Sequence, residues 1–194
     1  MTRWGSDALL TRERTFATPL TLGVIADTHV FPGAPRQIHP AVIDLFRRAK
    51  TDLLIHLGDV NTRAVLEDLA EIAPLLAVKG NNDDAELQAL LPLTLRLTIG
   101  RFQVRAVHGH GGRSARDEAI RQFAGKVDLV LFGHSHKPLM ESVKGSVLFN
   151  SGSATDRRWF DHFGVGVIHF DEERFDPDLI LFEHPDHLAN IAFD

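Results

Sequence analysis

LTLGVIADTH, residues 20–29, is an apolar run that ends on a carboxylate and an imidazole. Leu20–Ala26 carry no charge and have the length of a buried strand, and Asp27-Thr28-His29 stand at its carboxyl end. The pattern recurs along the chain. DLLIHL leads into Gly58-Asp59, PLLAV into Gly80-Asn81-Asn82-Asp83, FQVRAV into His108-Gly109-His110, and DLVLF into Gly133-His134-Ser135-His136. Between these runs lie helical patterns: PAVIDLFRRA, TRAVLEDLAEIA, DDAELQALL with an Asp at its start, and a segment opening at Ser114, where S-A-R-D has the outline of a capping box. Strands alternating with helices predict an α/β chain with parallel pairing. After residue 140, SVLFN, VGVIHF and DLILF are joined by short polar links and read as antiparallel strands.

Composition sets outer bounds. A chain of 194 residues, 44% of them hydrophobic, suits one domain with a substantial core. Residues 1–18 read as an irregular N-terminal extension and 19–194 as a single domain. The net charge of −5, with no Lys/Arg run of five, gives no sign of a phosphate-backbone binder, so nucleic acid enters only as a substrate. There is no cysteine, which removes disulfides, zinc fingers and thiolate chemistry and leaves nitrogen and oxygen as metal donors. Asp7, Arg12, Glu13 and Arg14 interrupt the N-terminus before a signal-peptide core can form, and no eighteen apolar residues run together. The expectation is a cytoplasmic chain without a membrane span.

In parallel α/β sheets the carboxyl ends of strands share one edge, where binding sites lie. Five segments therefore bring Asp27, His29, Asp59, Asn81, His108, His134 and His136 to one region. Singly each is weak, because an Asp-x-His is more often a turn beside a surface histidine and a Gly-Asp more often a cap. The GHSH segment is stronger: extended residues two apart project the same way, and the flanking glycine lets a ligand approach the backbone. Together, five coincidences at successive strand ends fill no core and close no helix stripe.

Imidazole, carboxylate and amide donors favour Mn, Fe, Co, Ni or Zn, with manganese first among them. Seven donors exceed one tetrahedral site; with one carboxylate shared they divide into two sets of four, and a two-metal centre follows. Two divalent ions, less the charges of Asp27 and Asp59, leave a doubly positive cluster that a hydroxide and a phosphodiester monoanion neutralise. A phosphomonoester dianion leaves one excess negative charge, which Arg113, Arg157 or Arg158 offsets if close. The balance prefers diesters mildly.

The ordered set D-x-H, GD, GN-x-D, H-G-H and GH-x-H resembles the calcineurin-like metallophosphoesterases, above all their short bacterial and archaeal phosphodiesterase branch. The likeness runs from about residue 20 to 170 and includes FNSGS at 149–153, similar to the N-P-G-S run of that branch. It implies an αββα four-layer sandwich, a hydroxide held between two metals, and in-line attack on phosphorus of a small phosphodiester or nucleotide-like substrate. One ion would take Asp27, His29, Asp59 and His136, and the other Asp59, Asn81, His108 and His134. Asn81 would also touch a phosphate oxygen, and His110 would contact phosphate or support the ligands. His56 and Asp83 would stand just behind the ligands, although for His56 a buried, hydrogen-bonded histidine explains as much. Many relatives carry a histidine where this chain has Asn82, which cannot donate a proton to a leaving group; His110 is the candidate substitute. The resemblance leaves three alternatives: a phosphomonoesterase, a nuclease, and a non-catalytic scaffold like the retromer subunit of this fold. Relatives often form homodimers.

Overall fold

The computed structural model describes residues 12–193 with the exception of 32, 34 and 113. Eleven strands form among them: β1 (Glu13–Phe16), β2 (Leu20–Ile25), β3 (Leu53–His56), β4 (Leu75–Ala77), β5 (Thr94–Ile99), β6 (Phe102–Val107), β7 (Leu129–Phe132), β8 (Leu139–Val143), β9 (Ser146–Asn150), β10 (Phe163–Phe170) and β11 (Phe175–Phe182). The helices are α1 (Pro40–Arg48), α2 (Arg63–Ala70), α3 (Ala85–Leu90) and α4 (Ala115–Phe123), followed by a 3-10 helix, Pro185–Asn190.

Helix starts follow local chemistry. Pro40 opens α1 with its fixed φ, and the His39 ring accepts from the Ala41 N–H at 3.2 Å. Asp84 accepts from the Leu87 N–H at 2.8 Å, and Ser114 from the Asp117 N–H at 3.0 Å, satisfying donors that a helix end leaves open.

The strands form two sheets, in the orders β11-β10-β2-β3-β4 and β1-β5-β6-β7-β9-β8. Period-two alternation decides what each face buries. Leu20, Leu22, Val24 and Ala26 point between the sheets with Leu53, Ile55, Leu57, Leu76 and Val78, and meet Leu95, Leu97, Val104, Ala106, Leu129, Leu131 and Phe149 of the second sheet. The outward set, with Ile25, Leu54, Val165 and Val167, packs against Val42, Leu45 and Phe46 of α1 and Val65, Leu66 and Leu69 of α2. On the far side Val107, Val130, Phe132 and Leu148 lie under Ala115 and Ala119 of α4. The result is the expected four-layer αββα sandwich.

The structure departs from the sequence reading in two places. Part of the supposedly irregular extension, Glu13–Phe16, is an edge strand paired parallel with β5, while residues 1–11 lie outside the described residues. The five site-bearing strand ends do not share one sheet: β2, β3 and β4 belong to the first, β6 and β7 to the second. The site therefore straddles the seam between the sheets. Among the described residues no helix is long and apolar enough to cross a membrane.

Candidate metal centre

Immediately beyond these strands the backbone turns sharply. Asp27, His29, Asp59, His134 and His136 all have positive φ, between 47° and 67°. Asp and His tolerate this region better than most side chains, but each such residue still costs on the order of 1–3 kcal/mol and persists because its surroundings demand it. Backbone bonds supply the demand: Asp27 N–H donates to Gly58 O at 3.1 Å and His29 N–H to Asp59 O at 3.0 Å. Gly80 is required by close approach, since a Cβ there would collide with the backbone nitrogen and Oδ1 of Asp59.

Two groups of donors result, Asp27 with His29 and His136, and Asp59 with His108 and His134. His29 Nε2 faces His136 Nε2 at 3.0 Å, and His134 Nδ1 faces His108 Nε2 at 3.3 Å. Asp59 lies between the groups, with Oδ1 3.3 Å from His108 Nε2 and Oδ2 3.5 Å from His29 Nε2. Asn81 Oδ1 joins the second group, 3.2 Å from His108 Nε2.

Tautomers follow from the partners behind the rings. His108 Nδ1 donates to Leu57 O at 2.7 Å and His136 Nδ1 to Asp156 O, so each ring, when it carries a single proton, presents a bare Nε2 to the site. Asn82 donates twice to Asp59, from its backbone N–H to Oδ1 at 2.9 Å and from its amide to Oδ2 at 2.7 Å. Burial alone would raise the Asp59 carboxyl, but hydrogen bonds from His108 and Asn82 outweigh it and hold the group well below the usual range. Asp27, by contrast, is pushed up to about 7 by burial, against the opposing pull of His108. Burial lowers His29 and His134, and takes His136 down to about 4. His108 moves up, because its bond to Asp59 and the charge of Asp27 overcome burial.

These residues fit divalent ions. Opposed imidazole nitrogens cannot satisfy one another when both present lone pairs, and the buried Asp27 Oδ2 has no hydrogen-bond partner among the described residues. A cation would answer both. Donors about 2.0–2.2 Å from one ion stand about 3 Å apart at a right angle, close to the 3.0–3.5 Å separations found here.

Other expected residues lie further out. His56 Nε2 bonds Thr28 Oγ1 at 3.0 Å and is held neutral by burial, its level pushed down to about 3. Asp83 accepts from the backbone N–H groups of Asn61 at 2.9 Å and Gly80 at 2.7 Å. Among the described residues neither hydrogen-bonds a candidate ligand side chain; His56 ties to Thr28, between Asp27 and His29, and Asp83 to the backbone beside Asn81. His110 borders the second group, its ring centroid 5.3 Å from that of His108 and 6.4 Å from that of His134. Of the three arginines, Arg157 turns away, with Nη1 donating to Phe160 O at 3.0 Å and Asp161 O at 2.9 Å. Arg158 bears electrostatically on Asp27, His29, His134 and His136. Arg113 lies outside the described residues.

Sequence reasoning missed Asn82 as a brace for Asp59, and it missed the segment after β9. There Ser153 Oγ donates to Asp27 O at 2.7 Å, Thr155 Oγ1 donates to Thr28 O at 2.5 Å, and Asp156 supplies the carbonyl behind His136. The FNSGS run was the available signal for that segment.

The chain belongs to the calcineurin-like phosphoesterase superfamily, whose domain it matches over residues 20–173. A probable metallophosphoesterase of Methanothermobacter thermautotrophicus is 31% identical over 163 residues, covering 83% of this chain and 92% of that protein. A phosphodiesterase of Methanocaldococcus jannaschii is 25% identical over 145 residues, covering 69% and 83%. Among solved structures, zinc-complexed Vps29 from Entamoeba histolytica aligns with a TM-score of 0.67 at 25% identity, covering 80% of this chain and 89% of that one.

Proposed function

We propose that this chain is a metal-dependent phosphoester hydrolase, with phosphodiesters as its first substrate class and manganese as the first metal to test. Asp27, His29, Asp59 and His136 would hold one ion, and Asp59, Asn81, His108 and His134 the other. The observation that carries this reading is the Asp59 carboxylate, which turns one oxygen toward each donor group. When bound, two divalent ions supply an acidified water as nucleophile and neutralise charge on phosphate.

The chain's own residues prepare that chemistry. Leu57 O and Asp156 O keep the protons of His108 and His136 on Nδ1, leaving Nε2 as the donor atom. Asn82 fixes the rotation of Asp59, Asn81 offers an amide beside His108, and His110 borders that same group. Arg158 adds a positive charge that the balance for diesters did not include, so monoesters gain ground. Support for diesters first comes from the relative named as a phosphodiesterase.

A second reading, a scaffold that holds ions without turnover, draws support from the likeness to zinc-complexed Vps29. One assay separates them. With manganese present, a nitrophenyl diester should be hydrolysed with a higher kcat/KM than the matching monoester, and a chelator should abolish both. A better monoester moves the chain to the phosphatases; ion binding with no turnover of either ester replaces the hydrolase by the scaffold.

A further inference from the structure

The segment that follows β9 ends in an unusual pair, a guanidinium that has no partner among the described residues beside an indole that is almost fully exposed. Its anchoring is thorough. Asn150 Nδ2 donates to Gly133 O at 3.0 Å and to Ser135 Oγ at 3.1 Å; Ser153 and Thr155 hold the carbonyls of Asp27 and Thr28; Asp156 receives His136. Asp156 is itself fixed by Arg36, 3.0 Å from its Oδ2. Two residues on, Arg158 has φ 49°, with its N–H 3.3 Å from Asp156 Oδ1, and Phe160 N–H closes the turn onto Arg157 O at 2.9 Å.

The three side chains of this turn do different things. Arg157 braces it from beneath, bonded to two carbonyls and set 5.5 Å over the Phe163 ring. Among the described residues the Arg158 guanidinium makes neither an ion pair nor a hydrogen bond; it is exposed, and its backbone is tied to Asp156, whose carbonyl receives the candidate ligand His136. Trp159 is 92% exposed, far more than Phe31 at 51% or Leu93 at 59%. A large aromatic surface fixed in water on an anchored turn has nothing to gain from folding; it gains when a flat apolar group covers it.

We propose that Arg158 and Trp159 form a recognition element for phosphate esters that carry a planar aromatic group, nucleotides above all, with Arg158 on a non-bridging phosphate oxygen and Trp159 stacked on the base. The proposal rests on the phosphoester reading for the position of the phosphate. Guanidinium groups match the planar, two-point geometry of phosphate oxygens. Stacking on an indole tolerates any base, so this element selects nucleotides as a class. Adjacent Cα atoms are ~3.8 Å apart, so the two side chains can serve the phosphate and base of one molecule.

The test reads binding rather than turnover. The only other tryptophan in the sequence is Trp4, so a Trp4→Phe protein reports on Trp159 alone. With manganese bound, adenosine 5′-monophosphate should quench its fluorescence saturably, and titration calorimetry, which also serves the Trp159 variants, should show it binding about 10-fold tighter than ribose 5-phosphate. Trp159→Ala should erase that 10-fold advantage, Trp159→Phe should keep most of it, and Arg158→Gln should weaken both ligands. Equal affinity for the two phosphates, or nucleotide preference surviving Trp159→Ala, overturns the proposal. A protein that hydrolyses the nitrophenyl diester yet shows no nucleotide preference loses this inference and keeps the hydrolase reading. A protein that prefers the nucleotide yet hydrolyses no ester does the reverse.

Discussion

Asn82 holds Asp59 by both carboxylate oxygens, with its backbone N–H 2.9 Å from Oδ1 and its side-chain amide 2.7 Å from Oδ2. The residue that stands where many relatives carry a histidine is thus more than a missing proton donor. It sets the rotation of the carboxylate on which both donor groups meet. Asn82→Ala should lower metal affinity about 10- to 100-fold, the range for groups that orient ligands. Titration calorimetry with manganese checks this, and an unchanged affinity would show the amide to be dispensable.

Stoichiometry tests the sharing of Asp59. Elemental analysis of protein reconstituted with manganese should approach two ions per chain, on the strength of two donor groups. Asp59→Asn should weaken both sites, whereas His136→Ala should chiefly empty the one that includes Asp27 and His29. Saturation at a single ion would sink the division of ligands proposed here.

Leaving-group dependence probes the missing acid. Asn82 cannot protonate a departing oxygen, so rates should fall steeply as the leaving-group pKa rises, and alkyl diesters should be slow. General acids contribute ~10²–10⁴-fold. Asn82→His could add that factor for alkyl esters, but it removes the amide bond to Asp59 and should cost metal affinity at the same time. A shallow dependence in the wild type would point to His110, and His110→Ala should then harm alkyl substrates selectively. A shallow dependence that survives His110→Ala would refute both versions.

Backbone conformation offers a test that needs no metal. His134 has φ 67° and is half-buried. Alanine there keeps the strained backbone, while glycine relieves it. In chelator, His134→Gly should be more stable than His134→Ala by about 1 kcal/mol in denaturant unfolding. Equal stabilities would mean that the turn relaxes when the imidazole is gone.

Much of this was legible in the chain. Apolar runs ending on Asp, Asn or His marked β2, β3, β4 and β7, because strands buried on both faces need nearly uninterrupted apolar sequence, and alternation ending on His108 marked β6, FQVRAV. The strand β1 escaped notice: ERTF is short, polar and at an edge, and its partner in β5 is about eighty residues away. TLRLTI, which forms β5, alternates cleanly with Leu95, Leu97 and Ile99 inward, yet carries no site residue to draw attention. Which strands share a sheet was beyond a periodicity argument, since alternation records that a face is buried but not what buries it. The candidate donors were visible as residue types at strand ends. Their supports were not, because Leu57 O and Asp156 O are backbone atoms that any residue supplies.

Three donor-bearing strand ends come from one sheet and two from the other, so the ions would act as rivets through the joint of the sandwich. Asp27, His29 and Asp59 belong to one plate; His108, His134 and His136 belong to the second. Each group takes donors from both. Sliding one sheet over the other would then tear coordination as well as apolar contact, so ions bound there would stiffen the joint. Pulled across that line in a force spectrometer, the loaded protein should yield at a higher force than the chelated one. Pulled along β10 and β11, which hold no donor, the two should part alike.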